Sequence, residues 1–240
     1  MALDRSIMKY IALSNDVIKE LVKATRYARR THHRIMLVLT SNNDGNLVLG
    51  AIEALSTYIN TVRKDHVKIV YLYHAFFEDG CARKEMFKDR FKTDYDIDYV
   101  SYHESIRVLG QTFNAAILDL MNNLEPNDIG KLSGIVEGGG IYILLLPSFE
   151  TLYKIVTRFQ NTLLTPQYGH EHLRRFFERR FVSKLYEHNE FFVGWYHSHP
   201  GLGFFYSDTD ILNHIGYQDG NPLAIGLVFD HTQFLSLIHI

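Results

Sequence analysis

The chain has 240 residues, 46% hydrophobic, 13% aromatic and 22% charged, a composition that excludes a disordered or collagen-like polymer. Its 25 Lys and Arg against 27 Asp and Glu leave a net charge of −2, so any contact with nucleic acid must come from a local patch rather than a global basic field. A single cysteine, Cys81, excludes an intramolecular disulfide framework, and no apolar run approaches the ~20 residues of a membrane-crossing helix; with no signal-peptide core behind Met1, a cytoplasmic protein with no membrane partner is expected.

Runs rich in β-branched residues at 35–39, 67–73, 97–102, 115–120 and 141–146 alternate with amphipathic stretches at 15–30, about 47–63, 83–91, 126–136 and 149–163. The runs are apolar at consecutive positions, as in parallel strands covered by helices on both faces. They predict an α/β fold with a doubly wound, mostly parallel, Rossmann-like sheet. Ser41-Asn42-Asn43-Asp44-Gly45-Asn46 has the character of a loop after the first strand, and Glu137-Gly138-Gly139-Gly140 that of a loop before the fifth. That glycine run precedes a strand instead of opening a helix, so the helix dipole that cradles phosphate is missing. No Gly-x-x-x-x-Gly-Lys-Ser/Thr occurs anywhere.

Leu163-Leu164-Thr165-Pro166 has the character of a hinge, and the pattern beyond it predicts a helix over about 170–186. That helix sets Arg174, Arg175, Arg179, Arg180 and Lys184 among Phe176, Phe177, Phe181 and Leu185. Two readings stay open: a cationic footprint for RNA phosphates, or a solvated face over an aromatic core stripe.

Leu109-Gly110-Gln111-Thr112-Phe113-Asn114-Ala115-Ala116-Ile117-Leu118-Asp119 is continued by Leu132-Ser133-Gly134 and by Gly140-Ile141-Tyr142-Ile143-Leu144-Leu145-Leu146-Pro147. This pattern resembles the N-terminal domain of the tRNA(Met) cytidine acetyltransferases, TmcA, as do Thr165-Pro166 and Arg179-Arg180-Phe181-Val182. The resemblance covers roughly residues 5–188 and implies an accessory α/β module, which in that family precedes a helicase module and an acetyltransferase module. It carries no catalytic signature, and neither a Walker lysine nor an acetyl-CoA loop can be placed on any residue here.

Beyond residue 189 the character changes. In Gly194-Trp195-Tyr196-His197-Ser198-His199-Pro200-Gly201, the aromatic, β-rich approach suggests a strand, and on a strand His197 and His199 share one side and can converge on one ion. Ser207 and Asp210 follow, and two imidazoles with one carboxylate make up the ligand count of a catalytic zinc site with one open position. The alternative is two hydrogen-bonded strand histidines followed by a helix capped by Ser207, with Asp208 and Asp210 in its first turn. The stretch resembles the JAMM signature of MPN-domain metalloproteases. That resemblance implies Zn2+ on His197, His199 and Asp210, with Ser207 steadying the bound water. It also implies hydrolysis of a peptide or isopeptide bond, in a peptide or ubiquitin-like substrate, by zinc-activated water.

Such chemistry needs a carboxylate base. Glu137 is the upstream candidate, and Glu187 and Glu190 stand close to the pair in sequence. Residues 1–188 are thus expected to form a TmcA-like domain and 189–240 a partial MPN/JAMM segment, with a further strand over 223–230. The terminal Leu235-Ser236-Leu237-Ile238-His239-Ile240 matches a translated transposon-end adapter, which points to a cut reading frame joined artificially near Asn189. Two functions are expected to compete: a zinc metallopeptidase behind an accessory domain, and a non-catalytic RNA-associated accessory domain with a vestigial or artificial appendage.

Overall fold

The computed structural model describes residues 13–64, 66–157, 160, 161, 164 and 169–185, and the backbone of 186–188, 194–198 and 225–229. The chain divides into two compact units, Met1–Val182 and Ser183–Ile240.

In the first unit the strands are β1 (Ile35–Thr40), β2 (Lys68–Tyr73), β3 (Asp96–Ser101), β4 (Phe113–Asp119) and β5 (Val136–Leu146). They form one sheet in the order β1-β5-β4-β2-β3, and every pairing is parallel. The helices are α1 (Asn15–Thr31), α2 (Asp44–Val62), α3 (Glu78–Arg90), α4 (Pro126–Leu132) and α5 (Phe149–Leu152), with a 3-10 helix at Tyr102–Val108 after β3. The parallel α/β sheet foreseen in the sequence is therefore present.

Successive strand residues point to opposite faces, so a strand buried on both sides must be apolar throughout. β4 meets this demand, being buried along its whole length. On one face Ala115 and Ile117, with Ile69, Tyr71, Ile141 and Ile143, pack against Leu21 of α1, Val48, Ala51 and Leu55 of α2, and Phe87 of α3. Val70, Leu72, Ala116, Leu118 and Leu144 are equally buried on the other face, which right-handed β3–β4 and β4–β5 connections cover.

Local chemistry sets the helix boundaries. Ser14 caps α1 by accepting from Val17 N at 3.3 Å, and Asn43 caps α2 by accepting from Asn46 N at 3.0 Å. The stretch expected as a loop after β1 is therefore partly the first turn of α2. The glycine run is strand rather than loop, because β5 begins at Val136. The β4 register shifts between Phe113 and Ala115, and a Cβ on Gly140 would lie 2.6 Å from Asn114 O and 2.5 Å from Val136 Cγ1, so the irregularity admits only glycine there.

Three predicted helices are shorter than expected, and the first, expected over 126–136, ends at Leu132 before β5 begins at Val136. After Ser148 caps α5, Lys154 N donates to Thr151 O at 2.8 Å in a tightened turn, and the helix stops before the β-branched Ile155-Val156-Thr157. The helix expected over 170–186 is split into a 3-10 turn, His170–His172, and α6 (Phe176–His188), leaving Arg174 and Arg175 in the connection. In the second unit, β6 (Gly194–Ser198) and β7 (Ile225–Phe229) pair in parallel from Gly194↔Ile225 to Ser198↔Phe229. A strand thus occurs within 223–230, but this pair alone does not make an MPN segment.

Candidate functional site

The sheet order itself selects a place to look. β2 leads on to β3 in one direction and β4 leads to β5 in the other, so the connections leaving the carboxyl ends of neighbouring β2 and β4 diverge. Open α/β sheets bind ligands in the crevice that such a switch point leaves. Here a knot of the protein's own side chains lies buried at that place. Asp119 ends β4 and Arg83 reaches it from α3, each with 1% of its side chain exposed. The guanidinium donates twice, Nε to Oδ2 at 2.8 Å and Nη2 to Oδ1 at 3.1 Å, the fork geometry in which Arg holds a carboxylate best.

Arg83 Nη1 also donates to Asp44 at the start of α2, at 3.2 Å, and to Asp79 one turn earlier in α3, at 3.4 Å. Its Nη2 reaches Asn122 Oδ1, and the Asn122 amide donates to Asp79 at 2.7 Å. Gly80 permits the arrangement, since a Cβ there would lie 2.8 Å from His74 O and push α3 off the end of β2. One cation thus ties the entry of α2, the first turn of α3 and the end of β4 together.

The electrostatics follow from burial and from these contacts. Burial raises the Asp119 carboxyl against the pull of Arg83, and it raises the Tyr71 phenol beside Asp119 well above its usual range. Burial works against the Asp79 carboxylate too, but the Asn122 hydrogen bond and Arg83 outweigh it and hold Asp79 below the usual range. Burial also keeps His74 below its ordinary value, although Asn123 O lies 2.9 Å from its Nε2. Three carboxylates around one guanidinium leave excess negative charge beside a groove of about 690 Å³ lined by Asn42, Asn43, Asp79 and Asn122. Such a lining repels phosphate. The knot can brace the switch point, and it is not built to cradle a nucleotide.

Each residue singled out in the sequence has a different fate. Glu137 lies on β5, ion-paired to Lys64 and accepting from Asn114 Nδ2 at 2.7 Å. It braces the amino edge of the sheet. Arg175 is turned inward, donating to Ile155 O and, at 3.0 Å, to Gln160 Oε1. Arg174, Arg179 and Arg180 are exposed, while Phe181 and Val182 are buried beneath them at 1% and 4% exposure. The stretch therefore turns an apolar stripe inward and three of its arginines outward. Lys184 lies beyond the division between the two units.

His197 sits on β6, opposite Val228 in the register. His199, Ser207, Asp210, Glu190 and the terminal Leu235–Ile240 stretch lie outside the described residues. Among the described residues, no three His, Cys, Asp or Glu side chains form a group able to hold a metal. The Arg83 knot went unnoticed in the sequence. An Asp closing an otherwise apolar strand was its only signal, since a buried carboxylate demands a cationic partner.

Fold and site together define a parallel α/β domain whose switch point holds a buried Arg83–Asp119 ion pair beside an acidic groove. The chain belongs to the family described as tRNA(Met) cytidine acetyltransferase TmcA, N-terminal, whose model matches residues 8–194. It is 47% identical over 174 residues to the TmcA of Thermofilum pendens, covering 72% of this chain and 21% of that protein. It is 30% identical over 198 residues to the TmcA of Pyrococcus furiosus, covering 75% and 24%, and 28% identical over 196 residues to that of Methanopyrus kandleri, covering 78% and 23%. The chain thus spans between a fifth and a quarter of the length of these relatives.

The family match corrects the metallopeptidase expectation. The matched region runs through residue 194, to the doorstep of the His-x-His pair, and these relatives are acetyltransferases by name. With no metal-holding group among the described residues, the zinc cofactor and the peptide or ubiquitin-like substrate go with it. The physical reason is that four residues at fixed spacing specify a metal centre only within a fold that makes them converge, and spacing alone carries no information about that fold.

Proposed function

We propose that this chain is the RNA-associated N-terminal module of a tRNA cytidine acetyltransferase, acting in the cytoplasm and leaving the acetyl transfer to other parts of such an enzyme. The family match over residues 8–194 carries this reading. Two further observations support it. The named relatives are four to five times longer than the stretch they share with this chain, which leaves room for the chemistry elsewhere. Arg174, Arg179 and Arg180 stand exposed at the end of the first unit, on or beside a helix anchored by Phe181 and Val182, where they can meet phosphates without disturbing the core.

The test is the affinity of the 240-residue chain for a tRNA transcript, measured by fluorescence anisotropy beside an Arg174→Glu/Arg179→Glu/Arg180→Glu variant. Reversing three exposed charges weakens binding at least ten-fold at about 0.1 M salt and leaves the melting temperature unchanged. Equal affinity in both proteins would remove this face from the RNA contact.

A further inference from the structure

The amino edge of the sheet is basic, and its cations fall into two sets. The first set is engaged by the protein. Arg29 Nη1 donates to Val62 O at 2.7 Å and joins the ends of α1 and α2, Arg34 Nε donates to Val136 O at 2.5 Å, and Lys64 holds Glu137. The second set, Arg26, Arg30 and Arg63, is exposed and makes no ion pair among the described residues. Arg26 from α1 and Arg63 from the end of α2 line one groove of about 560 Å³, whose remaining lining of Val22, Thr57, Asn60 and Thr61 offers hydroxyl and amide groups beside one apolar side chain and no carboxylate. The acidic residues of α1, Asp16 and Glu20, lie two to three turns away and are already paired with Lys19 and Lys23.

Arg63 is conspicuous for its backbone. It caps α2 at φ 50° and ψ 43°, its own N–H donating to Ile59 O, in the left-handed region where helices ordinarily end in glycine. Helix dipoles attract cations to carboxyl termini, and that would account for a basic residue anywhere in the last turn. It does not account for a long charged side chain at a position whose backbone favours glycine, a conformation that His32 also adopts at the end of α1. Strained positions of this kind concentrate where a side chain has work outside the fold.

Helix α1 also carries an exposed aromatic ring. Tyr27, next to Arg26 on α1, is 52% exposed, with the Arg30 guanidinium 5.7 Å from its ring centre and the His33 ring edge-on at 5.9 Å. A cationic groove with an exposed aromatic face on one of its helices is the chemistry that holds single-stranded RNA, phosphates in the groove and an unpaired base on the ring.

We infer that the groove between α1 and α2 is an RNA-binding surface in which Arg26 and Arg63 take backbone phosphates and Tyr27 stacks an unpaired base. The inference rests on the RNA-associated reading above and adds a contact made by residues other than Arg174, Arg179 and Arg180.

The experiment uses the 240-residue chain and a fluorescein-labelled, unstructured RNA of about a dozen nucleotides, with Arg63→Gly, Arg26→Gln/Arg63→Gln and Tyr27→Ala variants beside the Arg174→Glu/Arg179→Glu/Arg180→Glu protein. The double variant lowers affinity roughly ten-fold and lowers the slope of log K against log salt by about 1.4, the value for two phosphate contacts on a single strand. Tyr27→Ala lowers affinity about ten-fold by removing one stack. Arg63→Gly is the discriminating protein, because glycine suits the left-handed cap: it binds RNA more weakly while melting at the same temperature or higher. Binding by the wild type that is undiminished in the groove variants overturns the inference and leaves the RNA-associated reading standing. Absence of binding by the wild type overturns both.

Discussion

Arg83 shows how one buried side chain can brace the switch point of a parallel sheet. Its guanidinium is buried, and it satisfies Asp119 with two hydrogen bonds while reaching Asp44 and Asp79. Removing one member of such a pair leaves the other charge uncompensated in the interior. Arg83→Met should therefore destabilise the domain by about 3–5 kcal/mol, and Arg83→Met/Asp119→Leu should recover most of that, as read from urea denaturation midpoints. A loss as large in the double variant as in the single one would show that the ion pair matters through Asp44 and Asp79 rather than through Asp119. In the sequence Arg83 looks like an ordinary surface arginine opening a helix over 83–91. Only the tertiary fold, by starting α3 at Glu78 and placing Arg83 against the end of β4, gives it a buried role.

At the level of elements, the strands were legible because burial on both faces requires consecutive apolar residues, and β2, β4 and β5 leave that mark. The glycine run was misread for an equally physical reason. Glycine usually punctuates turns, yet here Gly140 gives β5 room to pass Asn114 and Val136 at a register irregularity. Gly140→Ala should cost about 2 kcal/mol, because the new methyl would overlap backbone as well as the Val136 side chain; a denaturation curve superimposable on the wild type would show that the strand yields instead. The over-long helix of 149–163 failed because amphipathic periodicity does not register local competition. Thr157 accepts from Gln160 N through its hydroxyl at 3.1 Å, organising its own turn after α5 has ended.

For the whole molecule, two resemblances were available in one sequence, and they differ in kind. The acetyltransferase pattern is spread over strands and turns that the fold assembles into one sheet, and the family match over residues 8–194 agrees with it. The histidine signature rested on four residues near the end of that match or past it, of which only His197 lies among the described ones. A diffuse pattern that agrees with a whole domain and with the family match outweighs a sharp one that rests on four residues. No helix among the described residues is long and apolar enough to cross a membrane. With a net charge of −2, the proposed RNA affinity would have to be local, from exposed arginines on particular faces rather than from the overall field.

That claim is tested most directly by titrating a tRNA transcript with the unmodified 240-residue chain across a salt series. The account predicts saturable binding at low salt, with log K falling linearly against log salt at a slope set by several phosphate contacts, about 0.7 to 0.9 for each. Binding that is absent at low salt, or indifferent to salt, would contradict an RNA-associated module and leave only a structural role for the domain.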